Sequence, residues 1–249
     1  MKPIIENIEH CPSTNTELAS RTDAPAGTVL RARAQSAGRG QRGNSWESEP
    51  GRNLTFSLLL RPEAIPASRQ FELSMLVSLG IVRTLAGHGI PALIKWPNDI
   101  YAGDDGKICG ILIENTVTGN KIERSVIGVG LNVNQKEFLS DAPNPLSMRQ
   151  LLGRETELEP LLEEICCNII GEVEAYEAAP CTEALSARYK AALWRADGLT
   201  HPFRDTATGE EFRAAIADVG ADGTLSLAPE APDARIREYL FKEVEFLLK

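Results

Sequence analysis

Histidine is scarce in this chain, and its three residues, His10, His88 and His201, stand far apart. That scatter argues against a His-rich metal cage and a His-centred catalytic triad. Cysteine gives no framework either. Its five residues, Cys11, Cys109, Cys166, Cys167 and Cys181, are odd in number and show no CxxC spacing. Neither a disulfide scaffold nor a zinc site is indicated, and buried thiols are expected. No apolar run reaches the ~20 residues that a membrane span needs. The opening MKPIIENIEH places Glu6 and Glu9 where a secretory signal requires an unbroken apolar stretch, so a cytoplasmic protein is expected. Net positive charge is also lacking. At −9, the chain is not built to coat nucleic acid, which draws its affinity from lysine and arginine against phosphate. One stretch departs from this balance: Arg31, Arg33, Arg39, Arg42 and Arg52 against Glu47 and Glu49 give +3 locally and leave −12 elsewhere. It reads as a local anion site within an acidic body.

Apolar material is plentiful: hydrophobic residues make up 43% of the 249, enough for one large domain or an ordinary domain with a small companion. Pro3 to Ile8 reads as a short strand. In PSTNTELA, Ser13, Thr14 and Asn15 are candidate helix caps, and Glu17, three after Thr14, is the returning half of a capping box. Thr28 to Ala34 is β-like, and Leu54, Phe56, Leu58 and Leu60 alternate with Thr55 and Ser57 as in a half-buried strand. Phe71, Met75, Leu79, Val82 and Ala86 predict a helix over about residues 69–87, stopped by Gly87 and Gly89. Gly110 to Ile113 and Ser125 to Val133 are apolar β runs. Leu162, Ile165, Ile169, Val173 and Tyr176 trace another helix, with a last one near Glu183 to Trp194. From Asp197 onward, short β segments are cut by the turn signals DTATGE, VGADGT and APEAPD, and the chain closes on Val244, Phe246 and Leu248. This suits a small SH3-like barrel after a boundary near residue 195. The irregular order of strands and helices before it predicts α+β rather than a doubly wound sheet.

Four segments carry candidate chemistry. In AGRGQRGNSWES (37–48), Gly38, Gly40 and Gly43 let backbone N–H groups approach a ligand, and Arg39 and Arg42 add donors suited to phosphate or carboxylate oxygens. The Gly-Lys-Ser/Thr end of a Walker A loop and the Rossmann glycine spacing are both missing. Alone, the segment is compatible with a surface turn, a single RNA-binding RG unit or an anion cradle. In IKWPNDIY (94–101), Pro97 holds Trp96 extended and sets Asn98 and Asp99 at a strand-edge turn, as turn formers or as a functional pair. In GKICGILIEN (106–115), Lys107 enters a strand with Cys109, Ile111 and Ile113 as its expected same-side neighbours. Such a cation either snorkels to water or meets an anion in a pocket. GVGLNVN (128–134) puts two glycines and Asn132 at the end of a buried strand, where backbone can be approached closely.

Taken in order, STNT (13–16), AQSAGRGQRGNSW (34–46), KWPND (95–99), GKICGILIE (106–114) and GVGLNVN (128–134) closely resemble the catalytic domain of the biotin–protein ligase family, the biotin–[acetyl-CoA-carboxylase] ligases. The likeness covers essentially the whole chain, and the combination is specific where each part alone is not. It implies an α+β fold: a mixed-sheet catalytic domain (1–195) related to class II aminoacyl-tRNA synthetases, then an SH3-like barrel (196–249). It also implies a two-step reaction with ATP and Mg2+. Biotin's carboxylate attacks the α-phosphorus to give biotinyl-5′-AMP and pyrophosphate, and a lysine of a biotin carboxyl carrier protein, part of a biotin-dependent carboxylase, then takes the acyl group as an amide and releases AMP. By motif position, Lys107, Arg39 and Asp99 become the catalytic candidates. Ser13, Thr14 and Gln35 would hydrogen-bond the ureido ring, with Asn15, Gly38, Arg39, Gly40, Gln41, Lys107 and Gly110 completing the biotin site. Arg39, Arg42, Trp46, Asn98, Lys107 and Asn132 would meet ATP or the adenylate, with Trp46 as an apolar cover. Asp99 would associate with magnesium indirectly or orient the incoming lysine, and no direct metal ligand is assigned.

Two features qualify the resemblance. Gln41 stands where the family often has arginine. The STNT motif begins at residue 13, which leaves no room before it for the helix-turn-helix of repressor members, so no DNA binding is expected. No membrane partner is expected, and monomer and homodimer are equally compatible with the sequence. The nearest alternative is a lipoate ligase or octanoyl transferase of the same fold, which does not usually carry GRGQRG followed by Trp. A nucleic-acid-binding module using Arg31 to Arg52 would instead show steep salt dependence.

Overall fold

In the computed structural model, residues 1–103, 106–139, 144–230 and 235–248 are described, apart from the side chain of Arg42. The chain opens with β1 (Ile4–Cys11), crosses through α1 (Thr14–Ser20) to β2 (Thr28–Gln35), and resumes after the Gly-Arg loop as β3 (Leu54–Leu60). There follow α2 (Phe71–Gly87), the short strands β4 (Ala92–Lys95) and β5 (Asp99–Ala102), and a long hairpin of β6 (Gly106–Thr118) and β7 (Lys121–Leu131). Helices α3 (Met148–Leu152), α4 (Leu158–Ala178) and α5 (Thr182–Ala191) come next. The last strands are β8 (His201–Asp205), β9 (Glu211–Val219), β10 (Leu225–Pro229), β11 (Arg237–Tyr239) and β12 (Val244–Phe246).

Among the described residues these strands form two sheets. The larger has the order β1-β2-β3-β7-β6-β5-β4, with β1 and β2 parallel and the other neighbours antiparallel. This is the mixed sheet of an α+β protein. The smaller, β11-β10-β9-β8-β12, is antiparallel throughout. Strand β3 is buried along its whole length rather than on one face. Phe56, Leu58 and Leu60 enter the main core with residues of α2 and α4, whereas Leu59 joins Leu18, Leu30 and Val126 under α1. With both faces covered, the alternation with Thr55 and Ser57 marks which side faces polar groups, not which side faces water. Each fully buried leucine or phenylalanine contributes roughly 1.5–3 kcal/mol.

Two local expectations are corrected. Ser13 is the N-cap of α1 but makes no side-chain cap bond, so the box with Glu17 is absent. The reciprocal capping box forms instead at α3, between Ser147 and Gln150. Cys11, Cys109 and Cys166 are buried, but Cys167 and Cys181 are exposed. Cys167 follows Cys166 on α4 and is turned to the outer face by the helical period.

An aromatic seam joins the two sheets. Trp96, just after β4, lies 5.3 Å from Phe241 and 6.4 Å from Phe246, and its Nε1 donates to the Gly223 carbonyl at 3.0 Å. Trp194 stands 5.8 Å from Phe246, and Arg195 donates to the Leu247 carbonyl at 3.1 Å. In the smaller sheet, Asp205 accepts from the backbone of Ala207 and Thr208, and Asp222 from that of Thr224, so DTATGE and VGADGT are aspartate-stabilised turns. The second half of APEAPD, residues 231–233, lies outside the described residues.

Candidate active site

A cavity of about 750 Å³ opens between the larger sheet, the Gly-Arg loop and the edge of the smaller sheet. Its floor comes from β6 and β7, where Gly110 pairs with Gly130 and Leu112 with Gly128. A Cβ at Gly130 would lie 2.3 Å from Trp46 Cε2, and one at Gly128 would lie 2.3 Å from Asn15 Oδ1. Only hydrogen at these positions lets the indole and the amide lie flat on the strands.

Lys107 reaches this floor through an irregularity of β6. Cys109 pairs with Ile100 and Lys107 with Tyr101, leaving Ile108 as the extra residue of a bulge. The bulge reverses the alternation, so Lys107 shares the face of Gly110 and Asp99, not that of Cys109, Ile111 and Ile113 as simple alternation predicts. Lys107 Nζ lies 2.7 Å from Asp99 Oδ1, with the two side chains 29% and 15% exposed. It also lies 5.7 Å from the centroid of the Trp46 ring. On the opposite face, burial pushes the Cys109 thiol up, which keeps it protonated and inert.

The Gly-Arg loop folds back as a narrow tongue. Gly40 N–H donates to Asn44 O (2.6 Å) and Trp46 N–H to Gly38 O (3.0 Å), around a single turn at Gln41–Gly43. The tongue lays Trp46 on the glycine floor, with its Nε1 buried and without a hydrogen-bond partner among the described residues. Arg39 lines the cavity and donates to Glu114 Oε1 at 2.8 Å and Thr16 Oγ1 at 3.3 Å.

At the far end, the start of α1 is cross-braced to β3 and β6. Gln35 Oε1 accepts from Thr14 N–H (2.7 Å) and Thr14 Oγ1 (3.2 Å), which turns the Gln35 amide nitrogen away from Thr14. The Ser57 hydroxyl donates to Asn15 Oδ1 at 2.5 Å and lies 2.8 Å from Thr14 Oγ1. Asn15 Nδ2 donates to Leu112 O (3.1 Å) and to Glu114 Oε2 (2.9 Å). Thr14 and Asn15 are committed to this network, and Glu17 pairs with Arg21 at 3.3 Å, so neither half of the expected box is available.

The structure thus brings Ser13, Thr14, Asn15, Gln35, Arg39, Gly40, Gln41, Trp46, Asn98, Asp99, Lys107 and Gly110 to one cavity. Asn98 takes part as a brace, its Nδ2 donating to Ile111 O at 2.7 Å. Gly38 lies behind the wall, against Trp46 O and Gln35 Nε2. Asn132 is not on the cavity surface: it is 3% exposed and donates to Leu146 O at 3.1 Å, bracing the segment whose Asn144 carbonyl accepts from Lys107 N–H. The Arg42 side chain lies outside the described residues. The cluster of arginines in the sequence is not one patch. Arg31 pairs with Glu159, Arg33 with Glu9 and Arg52 with Glu155, none of which lines this cavity.

Sequence reasoning missed Ser57 and Glu114, which brace Asn15 and Arg39 from behind the wall, and missed Lys95 and the smaller sheet's Lys242, Glu245 and Phe246 on the wall itself. Lys95 and Glu114 fall inside the motifs, and pairing of Lys95 with Asp99 across a hairpin was the available signal. Burial lowers the Lys95 pKa. Among the described residues no group of three His, Cys, Asp or Glu side chains gathers to hold a metal, and no helix is long and apolar enough to cross a membrane.

An α+β scaffold with this cavity matches a known architecture. The biotin protein ligase of Aquifex aeolicus in complex with biotin and ATP superposes with a TM-score of 0.79 at 20% identity, covering all of both chains, which is a likeness of fold. The chain belongs to the biotin/lipoate A/B protein ligase family, whose model matches residues 8–132. It is 30% identical over 193 residues to the biotin--[acetyl-CoA-carboxylase] ligase of Paracoccus denitrificans, covering 71% of this chain and 77% of that one. It is also 35% identical over 164 residues to the bifunctional ligase/repressor BirA of Bacillus spizizenii, covering 64% of this chain. The chain spans about half the length of such BirA relatives, with coverage of 49% and 47%.

Proposed function

We propose that this chain is an ATP-dependent biotin ligase that forms biotinyl-5′-AMP and transfers the biotinyl group to a lysine of a biotin carboxyl carrier protein. The observation that carries this is one cavity in which a polar pocket at α1, the Lys107–Asp99 pair and the Trp46-bearing tongue succeed one another. A neutral ureido ring matches the pocket, where Ser13, Thr14 and the free amide nitrogen of Gln35 offer donors and acceptors without net charge. The acid tail then points along the floor toward Lys107.

Two anions must meet for the first step, and cations are needed where they do. Lys107 is placed to neutralise the carboxylate and the inner phosphoryl oxygen as the bond forms, with Arg39 and Arg42 on the tongue as the further donors. Fixed charge aimed at developing charge supplies the largest share of such accelerations, and alignment of the two substrates supplies much of the rest. Gly40 and Gln41 contribute backbone to the biotin side, and Trp46 excludes water from the mixed anhydride. Asn132 acts by supporting the Lys107 segment, with its buried Oδ1 unpartnered on that side. In the second step Asp99 orients the incoming amine.

Magnesium fits only as an ion carried by the nucleotide. Asp99 is the carboxylate nearest the proposed phosphates and is already paired with Lys107, so the described residues offer no resident cage; magnesium commonly binds through one or two carboxylates plus substrate phosphates. Residues 196–249 are proposed as an SH3-like domain that closes one side of the cavity, and the sheet of residues 1–195 as one of the class II synthetase kind. A cytoplasmic location belongs to the same reading.

The test is ATP–pyrophosphate exchange. It should require biotin and stay silent with lipoate. Exchange supported by lipoate, or absent with both acids, would remove this proposal.

A further inference from the structure

Lys95 is a cation in the cavity without an anion. Its Nζ sits 5.3 Å from the centroid of Tyr101 and 5.3 Å from that of Phe246, between the larger sheet and β12 of the smaller one. The charged groups around it are Asp99 on β5, Lys107 on β6, Arg195 after α5 and Glu245 on β12. Both carboxylates are engaged elsewhere, Asp99 with Lys107 at 2.7 Å and Glu245 with Arg204 at 2.8 Å. Lys95 itself makes no ion pair or hydrogen bond among the described residues. Arg39, by contrast, has Glu114.

Two ring faces hold an ammonium group in place through their quadrupoles, but they do not neutralise it. A cation withdrawn from water ordinarily has a partner or hydrogen bonds. Here the missing partner must come from whatever fills the cavity. Position then selects which part of the ligand it is. Lys95 and Asp99 are opposed residues of the β4–β5 hairpin, and Asp99 touches Lys107, so Lys95 stands one strand pair beyond the ammonium that meets the inner phosphoryl group.

We propose that Lys95 is the seat for the outer phosphates of the nucleotide and for the pyrophosphate that leaves. This rests on the reading of the chain as an adenylate-forming ligase. The lowered pKa of Lys95 agrees with it, since an arriving anion would relieve the cost of burial. The seat is complete only when Phe246 is in place, so the smaller sheet contributes an aromatic wall to nucleotide binding.

The experiment measures binding of inorganic pyrophosphate, ATP and AMP to the full chain by calorimetry, for wild type, Lys95→Met and Lys95→Arg. Lys95→Met exchanges an unpaired ammonium for an apolar chain of similar length and is expected to fold. Its affinity for pyrophosphate and ATP should fall about tenfold or more, and that for AMP less than about twofold. Lys95→Arg should stay within about threefold of wild type. Transfer of the biotinyl group from supplied biotinyl-AMP to a carrier lysine should fall much less than the affinity for pyrophosphate in both variants. Equal losses for AMP and ATP, or an unchanged affinity for pyrophosphate, overturn the assignment. Selective loss of the transfer step also overturns it and would place Lys95 at the acceptor amine. Pyrophosphate binding needs no biotin, so a Lys95-dependent seat in a protein lacking biotin-dependent exchange would uphold this inference and remove the ligase reading instead.

Discussion

At the residue scale the site depends on where single side chains are allowed to lie. Lys107 and Asp99 form a partly buried ion pair, so removing one partner has two separable effects. Lys107→Met is expected to lower adenylate formation ~100-fold or more and to cost ~1–3 kcal/mol because Asp99 is left unpaired. Adding Asp99→Asn should recover much of the stability in urea melts and none of the adenylation. Recovery of both would take Lys107 out of the chemistry. Gly130→Ala places a methyl group 2.3 Å from Trp46 Cε2, so the indole must lift. Calorimetry should show nucleotide affinity falling about tenfold, with biotin affinity changing much less. The reverse order would contradict the placement of Trp46 over the nucleotide.

Individual residues were unevenly legible in the sequence. STNT, GRGQRG, KWPND and GKICG mark the cavity wall because their residue types are tied to that chemistry. Lys95 and Glu114 were hidden within the same motifs, since their importance lies in what does and does not pair with them in space. The arginines at 31, 33 and 52 misled for the same reason. Proximity in sequence put them beside Arg39, while the fold sent each to its own carboxylate.

At the scale of elements, periodicity served well for long segments and poorly for irregular ones. The apolar recurrence of Phe71, Met75 and Leu79 placed α2 within two residues of its start. The bulge at Ile108 left no mark in the alternation of GKICGILIE, and it alone decides which way Lys107 faces. Capping was misplaced at α1 because side chains suited to a cap are also suited to a ligand pocket, and there the pocket network holds Thr14 and Asn15 while Glu17 turns to Arg21. Trp96 belongs to this scale as well, since its indole ties the β4–β5 hairpin to Gly223 at 3.0 Å. Trp96→Phe keeps the ring contacts and leaves that buried carbonyl unpaired, at an expected cost of ~1–2 kcal/mol in denaturant unfolding. An unchanged midpoint and slope would show that the bond does not contribute.

At the scale of the molecule, two sheets share one apolar core, and the cavity lies along their junction. The change of character near residue 197 was readable as a shift to short strands and turns. That the second sheet would supply Phe246 to the wall was not, because strand alternation says which residues are buried but not against what. The tongue at 37–48 stands at the mouth of this junction with much glycine and exposed charge. Biotin with ATP should slow its cleavage by trypsin, and biotin alone should do so less. Equal cleavage in all three states would mean that the tongue does not close on ligand.

The most direct measurement is the intact mass of a biotin carboxyl carrier domain after incubation with this protein, biotin and Mg-ATP. The account predicts a gain of one biotinyl group on a single lysine, requiring both biotin and ATP and lost with Lys107→Met. A carrier mass that does not change under these conditions, or a carrier that gains a lipoyl group when lipoate replaces biotin, would contradict it.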